Sequence, residues 1–138
     1  MTIASAMPSG GTLTRLFADL DWRSVDPTNP TSPQMAALWG DPTNGPYGAI
    51  LRVPAGFESP MHHHSRDERV VMISGTSLHW TADGSREGAP AMTAGDSMVM
   101  PAGIDHVSAA APGEDCLEFI TQDGPFDFAM GTAAADGR

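Results

Sequence analysis

Four side chains able to bind a metal ion stand out in the sequence: His62, His64, Glu68 and, further along the chain, His106. Three imidazoles and one carboxylate supply nitrogen and oxygen ligands, a set that suits divalent iron, manganese, nickel, cobalt or zinc. His62 and His64 are two residues apart, so on a β-strand both side chains point to one face. Closed structural zinc sites prefer cysteine, and no thiolate lies nearby. The sequence therefore predicts a site for one divalent transition metal, in which zinc would have a reactive or sensing role.

Four protein ligands on an octahedral metal ion leave two adjacent coordination positions open. A bidentate substrate, or a substrate together with dioxygen, could fill them, with the metal acting as Lewis acid, template or dioxygen carrier. A chelating small organic molecule, such as a β-diketone, a hydroxyketone or an enol, fits that geometry.

Short β-strands separated by turns must hold these ligands in place. Residues 69–74 form the clearest strand, because β-branched residues alternate with other side chains and Gly75 closes the run. Turn residues recur roughly every ten positions, which is typical of an all-β sandwich or barrel. The other predicted strands cover residues 35–39, 47–53, 60–64, 76–81, 96–100, 106–110 and 116–122.

The chain divides into three regions on composition and patterning. Apolar residues within 13–20 have helical spacing, although this segment could equally be a strand that lies across the barrel or across a partner subunit. Residues 26–33 contain three prolines and are predicted to be a loop, and residues 123–128 carry two phenylalanines that could close the barrel as a plug. We expect an N-terminal arm, partly disordered, over residues 1–34, a barrel over residues 35–128 and a flexible tail over residues 129–138.

The charge balance excludes several classes of protein. The chain of 138 residues has 17 acidic against 7 basic residues, a formal net charge of −10. Binding to nucleic acid or to an anionic membrane surface needs basic patches, so we expect neither partner. All seven basic residues are arginine, which excludes lysine Schiff-base chemistry and a P-loop lysine.

The sequence also predicts a cytoplasmic location. Cys116 is the only cysteine, so no intrachain disulfide can form. The first residues lack the charged and apolar regions of a secretory signal, and no apolar run reaches the roughly 18 residues that a membrane span needs.

Further side chains could shape a substrate pocket. His79 could act as an acid–base or ligand-orienting group, or be a strand histidine bonded to the backbone. Arg52 could anchor a substrate carboxylate or form a surface salt bridge. Glu118 shares one face of the last strand with Cys116, opposite Leu117 and Phe119. Met72 and Trp80 could line the pocket, and filling the core is an equally open role for both.

The spacing of the ligand candidates resembles the two motifs of the cupin superfamily. The first motif is glycine, five residues, His-x-His, three or four residues, glutamate, six residues and glycine. The second is glycine, five residues, Pro-x-Gly, two residues, histidine, three residues and asparagine. The chain meets the first motif with Gly56, His62, His64, Glu68 and Gly75, and the second with Gly95, Pro101, Gly103 and His106, while Ala110 stands at the asparagine position.

The resemblance covers about residues 35–128 and implies a fold, a small antiparallel jelly-roll (cupin) β-barrel. It implies His62, His64, Glu68 and His106 as the ligands of the metal ion. It also implies a homodimer, because cupins commonly pair their barrels. The motif glycines are expected where strands turn sharply.

A narrower resemblance links the chain to the ChrR-like cupins. It rests on the segments LWGDPTNGP, LRVPAGF, SPMHHHS, VVMISGT and QDGPFDF. That group includes the metal-binding domain of zinc-dependent anti-sigma factors, uncharacterised single-domain proteins and members similar to acetylacetone-cleaving dioxygenases. A helical domain that binds a sigma factor is not expected, because the first 34 residues are short and rich in proline.

Two classes of function follow from these residues and this resemblance. The first is a small metal-dependent enzyme, a dioxygenase-type oxidoreductase that cleaves a chelating small molecule, with a Lewis-acid isomerase or lyase as a variant. The second is a metal or ligand sensor of the ChrR type without turnover.

Overall fold

The computed structural model describes residues 11–131 of the chain. The first ten residues of the expected arm and most of the tail expected over residues 129–138 therefore lie outside the described residues. The described part contains one turn of 3-10 helix, Phe17–Asp19, and ten strands. These are β1 Arg23–Ser24, β2 Gln34–Gly40, β3 Tyr47–Val53, β4 His62–His63, β5 Glu68–Ser74, β6 Ser77–Thr81, β7 Ser97–Met100, β8 His106–Ala110, β9 Cys116–Gln122 and β10 Ala129–Met130.

The strands form two antiparallel sheets. The six-stranded sheet has the order β1-β2-β3-β9-β5-β7, and the four-stranded sheet has the order β10-β4-β8-β6. The chain crosses repeatedly from one sheet to the other, as between β4 and β5, which is the jelly-roll arrangement. The predicted all-β jelly roll is confirmed. The expected barrel is open, because the two sheets remain separate among the described residues.

Alternating side chains along the strands create the core between the sheets. On β5 the buried residues are Glu68, Val70 and Met72, while Arg69 and Val71 face outward. One cluster of core side chains includes Tyr47, Val70 and Ile120, and a second includes Met72 and Cys116. The two sheets therefore bury one face each, and the polar residues on those inner faces need a specific reason to be there.

The segment over residues 13–20 is extended apart from the 3-10 turn, so the helical alternative is wrong. Leu16 and Phe17 remain largely exposed, and an isolated helix of this length has too little packing surface to be stable. The Phe17 ring instead meets the edge of Trp22 at 5.9 Å between ring centroids.

Glycines mark the corners next to the ligand strands, as predicted. Gly75, which ends β5, has a φ of 80°, and a Cβ there would lie 2.6 Å from the carbonyl oxygen of Asp115. A left-handed backbone with so little room favours glycine. The three other motif glycines, Gly56, Gly95 and Gly103, also have positive φ. Within the described residues, no helix has the length and apolar character to cross a membrane.

Candidate metal centre

Two neighbouring strands and one short connection bring the predicted ligands to the same end of the fold. His62 on β4 pairs directly with His106 on β8, and the centroids of their rings are 4.3 Å apart. The His64 ring follows β4 and lies 5.0 Å from the His62 ring and 5.3 Å from the His106 ring. Glu68 is the first residue of β5, in the other sheet. Residues 65–67 thus carry the ligand set from one sheet to the other.

Each of the three histidine rings has its Nδ1 atom next to a backbone carbonyl. A carbonyl can only accept, so Nδ1 must carry the proton and donate it. The neutral ring then has its lone pair on Nε2, the form that binds a metal ion. The acceptors are the carbonyl oxygens of Pro60 for His62 (2.8 Å), Asp127 for His64 (2.6 Å) and Ile104 for His106 (2.9 Å).

The three imidazoles fit one metal ion. Their ligand atoms lie within 4.8 Å of one another, and all three residues are buried. The Nε2 atom of His106 is buried without a hydrogen-bond partner among the described residues, and a bound cation would supply one. Glu68 is beside this cluster rather than inside it, with its Oε1 atom 3.8 Å from Nε2 of His64. Three buried histidines can therefore hold a metal ion, with the carboxylate in reach as a fourth ligand.

Burial sets the protonation states at this centre. Burial lowers the pKa of His62 to about 4, and the neighbouring imidazoles lower it further against the hydrogen bond to Pro60. Burial also lowers the pKa of His106 and raises the pKa of Glu68, although the nearby His64 acts in the opposite sense on Glu68. His62 and His106 are thus held in the neutral form that ligation requires.

Two phenylalanines cover the histidines, in agreement with the predicted plug. The Phe128 ring stacks on the His62 ring at 4.5 Å with an angle of 14° between the planes. The Phe126 ring lies 5.5 Å from the His64 ring. β10 follows directly and pairs with β4, which fixes the plug beside the ligands. The C-terminal segment therefore screens the centre from water on one side.

A cavity of about 340 Å³ adjoins the histidines. His62, His64 and Glu68 form part of its wall, together with Phe126 and Phe128. Most of the remaining wall is apolar, and its members include Val25, Pro33, Leu51, Val53, Phe57 and Met130.

Two further predicted residues, His79 and Glu118, line the same cavity. Nδ1 of His79 lies 3.0 Å from the hydroxyl of Ser108, and its Nε2 is buried without a partner among the described residues. Burial, and secondarily His106, lower the pKa of His79 to about 4. Burial, and secondarily the charge of Glu68, raise the pKa of Glu118 to about 8. His79 and Glu118 thus add two titratable groups to the cavity wall beyond the predicted ligands.

The structure places the other predicted pocket residues away from this cavity. Arg52 is on the outer face of β3, with its guanidinium 4.4 Å from the centre of the Trp22 ring. Met72 is buried in the core. Trp80 lines a second cavity, between the β6 and β7 edges, where the guanidinium of Arg86 lies over its ring at 5.4 Å.

Sequence reasoning missed part of the cavity wall. The proline-rich loop contributes Asp26, Asn29 and Ser32, none of which stands in a motif. Ser59 was also missed, although its hydroxyl lies 3.3 Å from Nδ1 of His62 and accepts the Ser108 amide at 2.9 Å. Its place three residues before the first ligand was the one signal in the sequence.

Comparison of the sequence with known proteins gives one family and one curated relative. The family described as "Domain of unknown function (DUF4437)" matches residues 16–138. The DNA damage-repair/toleration protein DRT102 of Arabidopsis thaliana is 35% identical over 82 residues, which are 59% of this chain and 25% of that protein. The chain thus spans about a quarter of the length of this relative.

Solved structures share the fold at low sequence identity. The polyketide cyclase RemF of Streptomyces resistomycificus aligns with a TM-score of 0.68 and 15% identity, over 86% of this chain and 85% of its own. An RmlC-like cupin protein of Ralstonia eutropha aligns with a TM-score of 0.67 and 24% identity, over 87% of this chain and 72% of its own. A chain of the Rhodobacter sphaeroides complex of SigE with the anti-sigma ChrR aligns with a TM-score of 0.60 and 22% identity, over 79% of this chain and 51% of its own.

Proposed function

The chain belongs to the DUF4437 family and has the cupin fold, and from this premise we propose that it is a metal-dependent enzyme acting on a chelating small organic molecule. The observation that carries the proposal is the set of three buried imidazoles, each with Nδ1–H donated to a carbonyl and with ligand atoms within 4.8 Å of one another. Oxidative cleavage of the dioxygenase type is the reaction we place first.

The surroundings of the centre support catalysis more than storage of a metal ion. A purely structural site is closed by protein ligands, whereas this one opens onto a cavity of about 340 Å³. Enzymes occur on this fold, since RemF is named as a polyketide cyclase. Iron, manganese, nickel, cobalt and zinc all suit three imidazoles and a carboxylate, and iron or manganese suits the proposed oxidation.

The protein side chains have separate tasks in this proposal. His62, His64, His106 and Glu68 would hold the metal ion, which when bound polarises a chelated oxygen or engages dioxygen. Phe126 and Phe128 exclude water from the chelating end of the substrate. His79 has a free Nε2 in the cavity wall and would hold or accept a proton from the substrate.

Metal content and oxygen consumption test the proposal together. Protein purified without added metal would be analysed for its elements, and iron-loaded protein would be given a panel of β-diketones, hydroxyketones and enols in an oxygen electrode. We expect about one metal ion per chain and oxygen uptake with at least one member of the panel. Stoichiometric zinc and no uptake with any member would contradict the oxidative reaction and support a sensor of the ChrR type.

A matched pair of variants tests the ligand assignment. His64→Ala removes a ligand, so metal affinity should fall by more than the roughly 10–100-fold typical of losing an outer hydrogen-bond partner. His63→Ala is the control, because the His63 ring faces away from the centre and its Nδ1 atom lies 2.9 Å from the Asp105 carboxylate. Equal metal content in both variants by elemental analysis would remove His64 from the ligand set.

A further inference from the structure

Counter-charges for an anionic ligand are absent from the cavity beside the histidines. No arginine is among the described residues that line it, and burial lowers the pKa of the lining histidines His62 and His79 to about 4. The chain contains no lysine, and arginines such as Arg69 and Arg86 pair on the surface with Asp123 and Glu58. A ligand with a second acidic group, beyond the end that reaches the metal ion, would bury that charge unpaired. Such burial costs several kcal/mol, on the order of the whole binding energy of a weak ligand.

The cavity instead offers a hydrogen-bond acceptor. Glu118 is 4% exposed, faces the cavity and has no hydrogen-bond partner for its carboxyl group among residues 11–131. It pairs with Met72, four residues along β5 from Glu68, so its backbone lies about 13 Å along the sheet from the level of Glu68. Because Glu118 lines the cavity, a hydrogen-bond donor on a ligand can reach its carboxyl group there.

The rest of the wall limits the body of the ligand. Leu51, Val53 and Phe57 from the six-stranded sheet and its connection, with Val25 and Pro33 from the N-terminal loop, are apolar. The volume of about 340 Å³ is near the lower end of the roughly 300–1,000 Å³ found for ligand pockets. A small molecule with a largely apolar body fits this space.

We propose that the substrate has a single anionic, metal-chelating end, an apolar body and a hydroxyl or amino group that donates a hydrogen bond to Glu118. Only the chelating end rests on the proposed function. Glu118 is then the residue that determines specificity at the end of the cavity away from the metal ion, and acids with a second carboxylate, phosphate or sulfate are rejected.

Four catechols that share one chelating group and differ in one substituent test this directly. Ethylcatechol, hydroxyethylcatechol, aminoethylcatechol and carboxymethylcatechol would be titrated calorimetrically into zinc-loaded protein, in which no redox turnover occurs. We expect the hydroxyl and amino compounds to bind about three- to tenfold tighter than ethylcatechol, and the carboxylate to bind about tenfold weaker.

Variants at Glu118 assign the preference to one side chain. Glu118→Gln retains a hydrogen-bond acceptor, so the hydroxyl compound should keep its advantage over ethylcatechol. Glu118→Leu removes the acceptor, so the advantage of the hydroxyl compound over ethylcatechol should vanish. Glu114→Gln, in an exposed loop, is the matched control and should leave the ranking unchanged.

The outcomes separate this inference from the proposed function. The inference is overturned if carboxymethylcatechol binds as tightly as hydroxyethylcatechol, or if the ranking of the four compounds is unchanged in Glu118→Leu. Either result leaves the metal-dependent function standing. Failure of every catechol to bind a protein that carries zinc overturns the chelation of the proposed function and the inference with it.

Discussion

At the scale of single residues, backbone carbonyls decide what the three histidines can do. Each ring gives its Nδ1 proton to a carbonyl, which leaves Nε2 as the free nitrogen at a common point. Exchanging the tautomer would break a buried hydrogen bond, so the ligand form is set before any metal ion arrives. The candidate metal site is therefore preorganised by main-chain atoms. The position of each carbonyl depends on the loop that carries it and not on the side chain of the accepting residue.

Glu118 provides a prediction about stability and pH in metal-free protein. Its pKa is about 8 in the folded state against a usual value of 4.5, so the folded protein retains a proton that the unfolded chain releases between these values. The stability that this proton contributes is complete below pH 4.5 and is lost as the pH rises through 8. Glu118→Gln removes that dependence. The variant should gain stability over the wild type between pH 5 and pH 8, by up to about 4 kcal/mol.

Urea unfolding at several pH values, with a chelator present, measures this difference. Glu114→Gln serves as control and should follow the wild type throughout. An advantage of Glu118→Gln that does not grow with pH would show that the Glu118 carboxyl is ionised in the folded state at all these pH values.

At the scale of the elements, the sequence pattern predicts the bounds of a strand where the strand is long and its side chains alternate. The predicted strands at residues 47–53 and 116–122 coincide with β3 and β9, because turn residues flank both runs. β1 and β10 were missed, since each has two residues and exists through pairing with β2 or β4 rather than through its own pattern. Short edge pairings depend on the partner strand and leave little signal in their own residues.

The candidate site shows the same division. The spacing of His62, His64, Glu68 and His106 was readable, because motif positions fix ligands to turns and strands. The carbonyl that orients His64 belongs to Asp127, 63 residues away, and no local pattern could connect the two. The sequence could have placed Arg52 on the outer face, because its apolar neighbours Leu51 and Val53 are expected inside and side chains alternate along a strand. Both neighbours line the cavity in the structure.

Two glycines at element corners provide a matched test of why the motif requires glycine. Gly56 and Gly75 have nearly equal φ, 78° and 80°, but a Cβ has open space at Gly56 and meets the Asp115 carbonyl at Gly75. Alanine at either position has the left-handed backbone cost of roughly 1–2 kcal/mol. Gly75→Ala adds a backbone clash beside β9 and should lower the free energy of unfolding by at least about 1 kcal/mol more than Gly56→Ala. Chemical denaturation of both variants measures this difference in the free energy of unfolding. Equal losses of stability would show that backbone conformation alone selects glycine at position 75.

At the scale of the whole molecule, the outer face of the six-stranded sheet carries exposed apolar side chains. We name the outer face by the residues Val71 and Ile73 on β5 and Val99 on β7, which are 42%, 42% and 60% exposed. β5 and β7 pair with each other, with Val99 opposite Arg69 and diagonal to Val71. We take this group of exposed apolar side chains as a candidate interaction site. The arm contacts another part of the same sheet face, where Trp22 packs against Arg52 on β3.

We propose that a second copy of the chain covers the outer face, giving the homodimer expected from the sequence. A two-fold axis across the face would bring the same strands of both copies together. A stable interface of this kind buries about 800 Å² of surface on each partner. Light scattering should give twice the chain mass of 14.4 kDa. Val99→Glu would place like charges opposite each other and should yield monomers, whereas Ile104→Glu, at an exposed apolar side chain in the turn before β8, should remain dimeric. A wild-type protein of single-chain mass at micromolar concentration, or a Val99→Glu variant that stays dimeric, would contradict this assembly.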